Sequence, residues 1–129
     1  MRLTLFLLCI GVCLFISCNS GENKASAETC YRYEGTNDTI SLKVVRNADT
    51  VTGTLDYNFK EKDDNRGTIK GNLKGDLLIA DYTFTSEGVQ STRQVVFKFK
   101  DNFVVEGYGD NTDSLTFNDS MKLVEATCW

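Results

Sequence analysis

The feature that most constrains this chain is a hydrophobic period of two. Val51, Gly53, Leu55, Tyr57 and Phe59 fall on one side of an extended segment, and Thr52, Thr54, Asp56 and Asn58 on the other. Such alternation buries one face of a β-strand and wets the other, whereas a helix returns to the same face about every 3.6 residues. The pattern recurs at Ile40, Leu42 and Val44, at Leu78, Ala80, Tyr82 and Phe84, and at Arg93, Val95, Phe97 and Phe99. Helical spacing is nowhere sustained, so the expected class is all-β.

Short polar breaks at Asn47-Ala48-Asp49, Lys74-Gly75-Asp76 and Asp101-Asn102 carry the Gly, Asn or Asp that tight hairpins need, so consecutive strands should pair antiparallel. Strands are expected near 30–34, 39–45, 51–60, 67–73, 77–86, 91–100 and 103–108. A final strand includes Met121 to Thr127, with Leu115 to Phe117 as its broken first part or as a piece across the rim. About eight strands in a meander suit a small closed or nearly closed, lipocalin-like barrel, which leaves no exposed edge. Glycines at 53, 71 and 107 inside strands point to bends or close backbone approach. The tight turns collect at one end. Thr36 to Asp38, Glu61 to Arg66, Ser86 to Gln90 and Gly109 to Asp113 make a polar, roomier rim at the other.

Ahead of this domain, residues 1–17 carry one cation, Arg2, and then an apolar run to Ile16. That is the layout of an export signal, and the run is too short for the roughly 20 residues that span a bilayer. Leu14-Phe15-Ile16-Ser17-Cys18 resembles the lipobox of bacterial lipoproteins, with Phe15 where Leu is usual. The resemblance implies cleavage before Cys18 and its acylation with palmitate-type chains; ordinary signal-peptide cleavage nearby is the alternative. Several acyl chains give a durable anchor, since each buried methylene contributes about 0.8 kcal/mol. Residues 18–28 then form a lipidated tether, its small polar stretch Asn19 to Glu28 reaching at most ~35 Å, and residues 29–129 a single barrel domain.

Cysteine usage supports the same division. Cys9 and Cys13 leave with the signal and Cys18 is taken by lipid, so Cys30 and Cys128 remain as an even pair at the two ends of an exported domain. A disulfide between them is expected, with two unrelated buried thiols as the alternative. For the cysteines to meet, the last strand must finish at the end where the first begins, which an even strand count satisfies.

The formal charge is −4, and loss of Arg2 with the signal makes it −5. No basic run offers a footprint for phosphates, so nucleic acid is not an expected partner. Histidine is absent, which removes the commonest metal ligand and general base, and no free thiol remains as a nucleophile. No enzyme activity, metal or cofactor is expected. The acidic stretches Glu61 to Asn65 and Asp110 to Asp113 lack calcium-loop spacing and read as solvated turns.

The candidate contact surface is the rim. Tyr57, Glu61, Tyr82, Ser86, Glu87 and Arg93 are its residues, Glu61 and Arg93 continuing the inward parity of their strands so as to meet at the mouth above Tyr57, Tyr82 and Phe84. Such a mouth would hold a small amphipathic ligand by apolar burial and one oriented ion contact. The plainer reading is a structural ion pair capping a core filled by its own side chains. Thr39, Thr50, Ser114 and Ser120 lie in Asp-Ser/Thr-apolar tripeptides that resemble the O-glycosylation acceptor of exported Bacteroidota proteins, although turn Asp followed by β-favouring Thr produces the same pattern.

Cys30 to Gly35, Glu61-Lys62-Asp63, Gly75-Asp76, and above all Ala80 to Gly88 with Arg93-Gln94-Val95 look like a group of uncharacterised small lipoproteins of Bacteroidota. The resemblance implies a lipid-anchored place in the cell envelope, at the outer membrane rather than the inner, and the end-to-end cysteine pair; it brings no activity. Expected partners are the membrane through the N-terminal lipid, and a small ligand or an envelope protein. Three functions stand open: a binding module using the mouth or rim, a structural or assembly lipoprotein with a solid barrel, and, by architectural analogy, an inhibitor of a cell-wall hydrolase such as lysozyme. The inhibitory loop motif of that last family is not found in Ser86 to Gln90.

Overall fold

The computed structural model describes residues 26–129; the signal, Cys18 and the tether as far as residue 25 lie outside the described residues. Nine strands and one short 3-10 turn make up the fold. They are β1 (Glu28–Glu34), β2 (Asp38–Asn47), β3 (Thr50–Phe59), β4 (Asn65–Lys74), β5 (Leu77–Ser86), β6 (Val89–Phe99), β7 (Phe103–Tyr108), β8 (Thr116–Phe117) and β9 (Leu123–Ala126), with the turn at Asp119–Met121.

The first seven strands pair in sequence, each antiparallel to the next, as the turn chemistry requires. β7 also pairs with β9, and β9 with β1, so eight strands close into a barrel. The ninth, β8, occupies the same edge of β7 as β9. Gly107 is bridged by Val96 of β6 on one side and by Phe117 on the other, whereas Val104 lower on β7 meets Leu123. The eighth barrel position is thus one strand broken by the turn at Asp119–Met121, whose Asn118 cap accepts from the Ser120 amide at 2.9 Å.

The period-two residues all point inward. Leu42, Leu55, Leu78, Tyr82, Phe97, Val104 and Leu123 are wholly buried, and they fill the lumen. Side chains of this size each contribute about 1.5–3 kcal/mol on burial, so the interior is a packed core and not a channel. Close approach explains the glycines. A methyl group at Gly53 or Gly71 would run into the carbonyl of the neighbouring strand, and one at Gly107 would meet the Phe117 ring at 2.7 Å.

Cys30 and Cys128 are joined in a disulfide, their Cα atoms 5.2 Å apart. Cys30 lies opposite Ala126 of β9 on one side and Lys43 of β2 on the other, so the bridge ties the two ends of the chain where their strands already pair. Beyond it, the Trp129 ring lies beneath the Arg32 guanidinium at 4.5 Å, and Lys43 donates to the Trp129 carbonyl at 3.0 Å.

One expectation about the loops is overturned. Ser86 to Gln90 is no long connection: Ser86 pairs with Val89, leaving Glu87 and Gly88 as a two-residue turn with φ of 50° and 75°. Both central residues are left-handed, the geometry that matches strand twist. Glu seldom takes that conformation, which is why Glu87-Gly88 does not read as a turn beside the Asn-Gly or Asp-Gly hairpin signal. β6 accordingly begins at Val89 instead of 91, and β4 at Asn65 instead of 67.

Candidate functional site

Three connections stand around the open end: residues 35–37 between β1 and β2, 60–64 between β3 and β4, and 109–115 between β7 and β8. The first two of them border a cavity of about 710 Å³. Its floor is Tyr57, Phe59, Arg93, Tyr108 and Met121, and its rim carries Asp38, Lys60, Glu61, Lys62 and Asp63. The size lies within the range of small-molecule pockets, roughly 300–1,000 Å³.

Beneath the floor is a buried carboxylate that sequence reasoning missed. Glu106 sits on the inward face of β7, opposite Phe97 of β6, and is 4% exposed. The Tyr57 hydroxyl donates to it, lying 2.8 Å from each carboxylate oxygen, and the Tyr108 hydroxyl donates to Oε2 at 2.9 Å. Arg93 approaches Oε1 only to 3.7 Å, an ion pair without a hydrogen bond. The only cue for Glu106 was its parity with Val104 in a strand otherwise rich in valine, and a single acid in such a run is easily taken as an outward residue.

Arg93 is held by rings. Its guanidinium lies 5.4 Å from the centre of the Tyr57 ring and 5.5 Å from that of Tyr82. Tyr82 in turn is stacked on Phe84 at 4.8 Å and set edge-on to Tyr57 at 5.8 Å. Cation–π contact holds the guanidinium through its face and not through its N–H donors. The side chain is 44% exposed and lines the cavity.

Burial dominates the protonation of this cluster. It raises the Glu106 carboxyl above its ordinary value, against the opposing pull of the Tyr57 and Tyr108 hydrogen bonds and the Arg93 charge. Burial, followed by the neighbouring Glu106 charge, holds Tyr57 and Tyr108 above the usual phenol range; for Tyr82, burial comes first and Asp56 next. Half-burial works against charge on Arg93, but Tyr57 and Glu106 outweigh it and keep the guanidinium charged.

The stability consequence follows from the sign. A carboxyl whose folded pKa exceeds its unfolded one binds more protons when folded, so its contribution to stability falls as pH rises through the interval between the two values. The stability of the wild type relative to Glu106→Gln is therefore expected to increase as pH is lowered through the raised Glu106 value toward the ordinary carboxyl range. Urea midpoints of the two proteins across that range measure it, and a difference independent of pH would contradict a raised Glu106.

Several expected site residues are placed differently. Glu61 does not meet Arg93: Glu106 takes that position from inside the barrel, and Glu61 stays exposed on the rim of the same cavity. Its displacement follows from the turn beginning after Phe59, where Lys62 N donates to the Phe59 carbonyl at 3.0 Å and the inward parity ends. Tyr57 lines the cavity as expected, but Tyr82 is wholly buried below it, and Phe84 packs on Tyr82 instead of facing the mouth. Ser86 and Glu87 belong to the tight β5–β6 turn and lie outside the cavity lining. Of the hydroxyls in glycosylation-like tripeptides, Thr50, Ser114 and Ser120 are exposed, and Thr39 is half-buried within β2. In the Asp110–Asp113 stretch, Asn111 Oδ1 accepts from the Asp113 amide and the Ser114 hydroxyl, each at 3.0 Å, which is the wiring of a self-satisfied turn.

No family model, curated protein or solved structure matches this chain.

Proposed function

We propose that this protein is a non-enzymatic binding module of the bacterial cell envelope, lipid-anchored at Cys18, whose barrel mouth takes a small amphipathic ligand. The observation that carries the reading is the mouth cavity itself. Its floor joins apolar surface from Tyr57, Phe59 and Met121 to one oriented cation, Arg93. A concave apolar surface with a few convergent polar groups is what a small-molecule site requires.

The lipobox-like residues Leu14 to Cys18 support the anchoring. β1 starts at Glu28, opposite Val45 near the tight-turn end, so a tether running from Cys18 to Glu28 would hold that end toward the membrane and turn the mouth away from it. The outer membrane is the proposed location, in keeping with the Bacteroidota resemblance.

Native mass spectrometry of the full chain from its own host tests the ligand. A retained small molecule in the wild type that is lost in Arg93→Ala is the expected result, and bare protein in both would overturn it. Metabolic labelling with palmitate should mark the wild type and not Cys18→Ser; label that survives the substitution would sink the anchoring.

The packed lumen favours a second reading, a structural or assembly lipoprotein recognised from outside. A pull-down from envelope extract with the wild type and with Arg93→Ala combined with Glu61→Ala separates the two, because identical sets of partners would place the contact away from the mouth.

A further inference from the structure

Resting on the mouth being a ligand site, we infer that its occupant is a monocarboxylate with an apolar body, and that Glu106 beneath Arg93 makes its binding proton-linked.

The charge arrangement points to the ligand class. Arg93 presents a planar fork, fixed over the Tyr57 and Tyr82 rings, and such a fork matches the two oxygens of a carboxylate. Its internal counter-ion is a poor competitor. Glu106 stands 3.7 Å away and already accepts from two phenols, so its oxygens are committed to Tyr57 and Tyr108. A ligand carboxylate arriving from the cavity can approach the guanidinium to hydrogen-bonding distance, where Glu106 does not. The rim balances Asp38, Glu61 and Asp63 against Lys60 and Lys62, which adds no positive field to hold a multiply charged anion. Tyr57, Phe59 and Met121 receive the apolar body.

Proton linkage follows from placing two carboxylates beside one guanidinium. The charged and titratable groups around Glu106 are Tyr57 of β3, Tyr82 of β5, Arg93 of β6 and Tyr108 of β7. The three phenols are held above their usual range and Arg93 stays charged, so Glu106, raised by burial, is the first group in this cluster to change charge as pH rises. A bound anion adds a second negative charge beside Glu106 and favours protonation of that carboxyl. By reciprocity a proton on Glu106 strengthens anion binding by the same factor. Once protonated, Glu106 can still accept from the phenols, and the Arg93 charge is left for the ligand alone.

Titration calorimetry of the full chain with 3-phenylpropionate, 3-phenylpropylamine and 3-phenylpropanamide tests both parts, at pH 5.5 and 8 and in two buffers of different ionisation enthalpy. The carboxylate is expected to bind at least about tenfold tighter than the amine or amide, to take up protons, and to weaken by up to about tenfold per pH unit above the Glu106 pKa. Arg93→Ala should abolish its binding. Glu106→Gln should bind it at pH 8 more tightly than the wild type does, without proton uptake. If Glu106→Gln does not fold, Tyr108→Phe removes one hydrogen bond to the carboxylate and should move the affinity change to higher pH.

Equal affinity for the three probes would overturn the ligand class while leaving a mouth that binds small molecules. Carboxylate binding that needs Arg93 but is indifferent to pH and to Glu106→Gln or Tyr108→Phe would overturn the linkage alone. Failure of all three probes to bind would overturn both parts, and a ligand retained in native mass spectrometry would then still support the mouth as a site.

Discussion

Replacing Cys30 and Cys128 with serine is expected to remove about 4–5 kcal/mol of stability, the largest effect of any change considered. The bridge spans 98 residues, and closing a loop near 100 residues restricts the unfolded chain by up to ~4.7 kcal/mol in the chain-entropy model. In this barrel the bridge also acts where the ring is thinnest. β9 is only four residues long, and it alone joins β1 to β7. Losing the staple should therefore let β9 fray first and open the barrel along that seam. For a domain of about 100 residues each kcal/mol lowers the melting temperature by about 4–8 °C, so a fall of roughly 20 °C or more is expected. Thermal melts of the wild type and of the double serine variant under oxidising conditions check it, with hydrogen exchange reporting whether β9 and β1 open before the rest. A fall of only a few degrees would mean that strand pairing alone closes the ring.

Phe97→Ala is expected to cost about 3–5 kcal/mol, the usual range for removing a wholly buried aromatic side chain. A second consequence reaches the site. Phe97 pairs with Glu106 across β6 and β7 and opposes Leu78 across β5, so truncation opens space directly beside the carboxylate. Water admitted there relieves the burial that raises Glu106, and its pKa should move back toward the ordinary value. Chemical denaturation measures the first effect, and titration of the Glu106 side-chain carbon signal by NMR measures the second. A large loss of stability with an unmoved Glu106 would show that hydrogen bonding from Tyr57 and Tyr108, and not packing around Phe97, governs that carboxyl.

The strands and their faces were legible because alternation is a local property of the chain. Val51 to Phe59, Leu78 to Phe84 and Val95 to Phe99 face the core in the pattern their sequence prescribes. Turns were legible where glycine or a short polar side chain marked them, as at Gly75-Asp76, and obscure at Glu87-Gly88, where a residue ill-suited to positive φ takes it. The place of Arg93 and Tyr57 was legible from parity, and both line the mouth. The place of Glu61 is not legible, because parity cannot be carried past the end of a strand into the turn after Phe59. Glu106 went unnoticed because one inward acid among valines looks the same on paper as one outward acid.

Sequence by itself determined the all-β class, the meander, the facing of most strands and the pairing of Cys30 with Cys128, since these depend on periodicity, turn residues and cysteine parity. Only the tertiary structure decided that the eighth strand is broken into β8 and β9, that the lumen is packed, and that Arg93 stands over Glu106 and not beside Glu61. The physical reason is distance along the chain: Tyr57, Tyr82, Arg93 and Glu106 come from four strands, and the energy of a buried carboxylate depends on which of them closure of the barrel brings within a few ångströms.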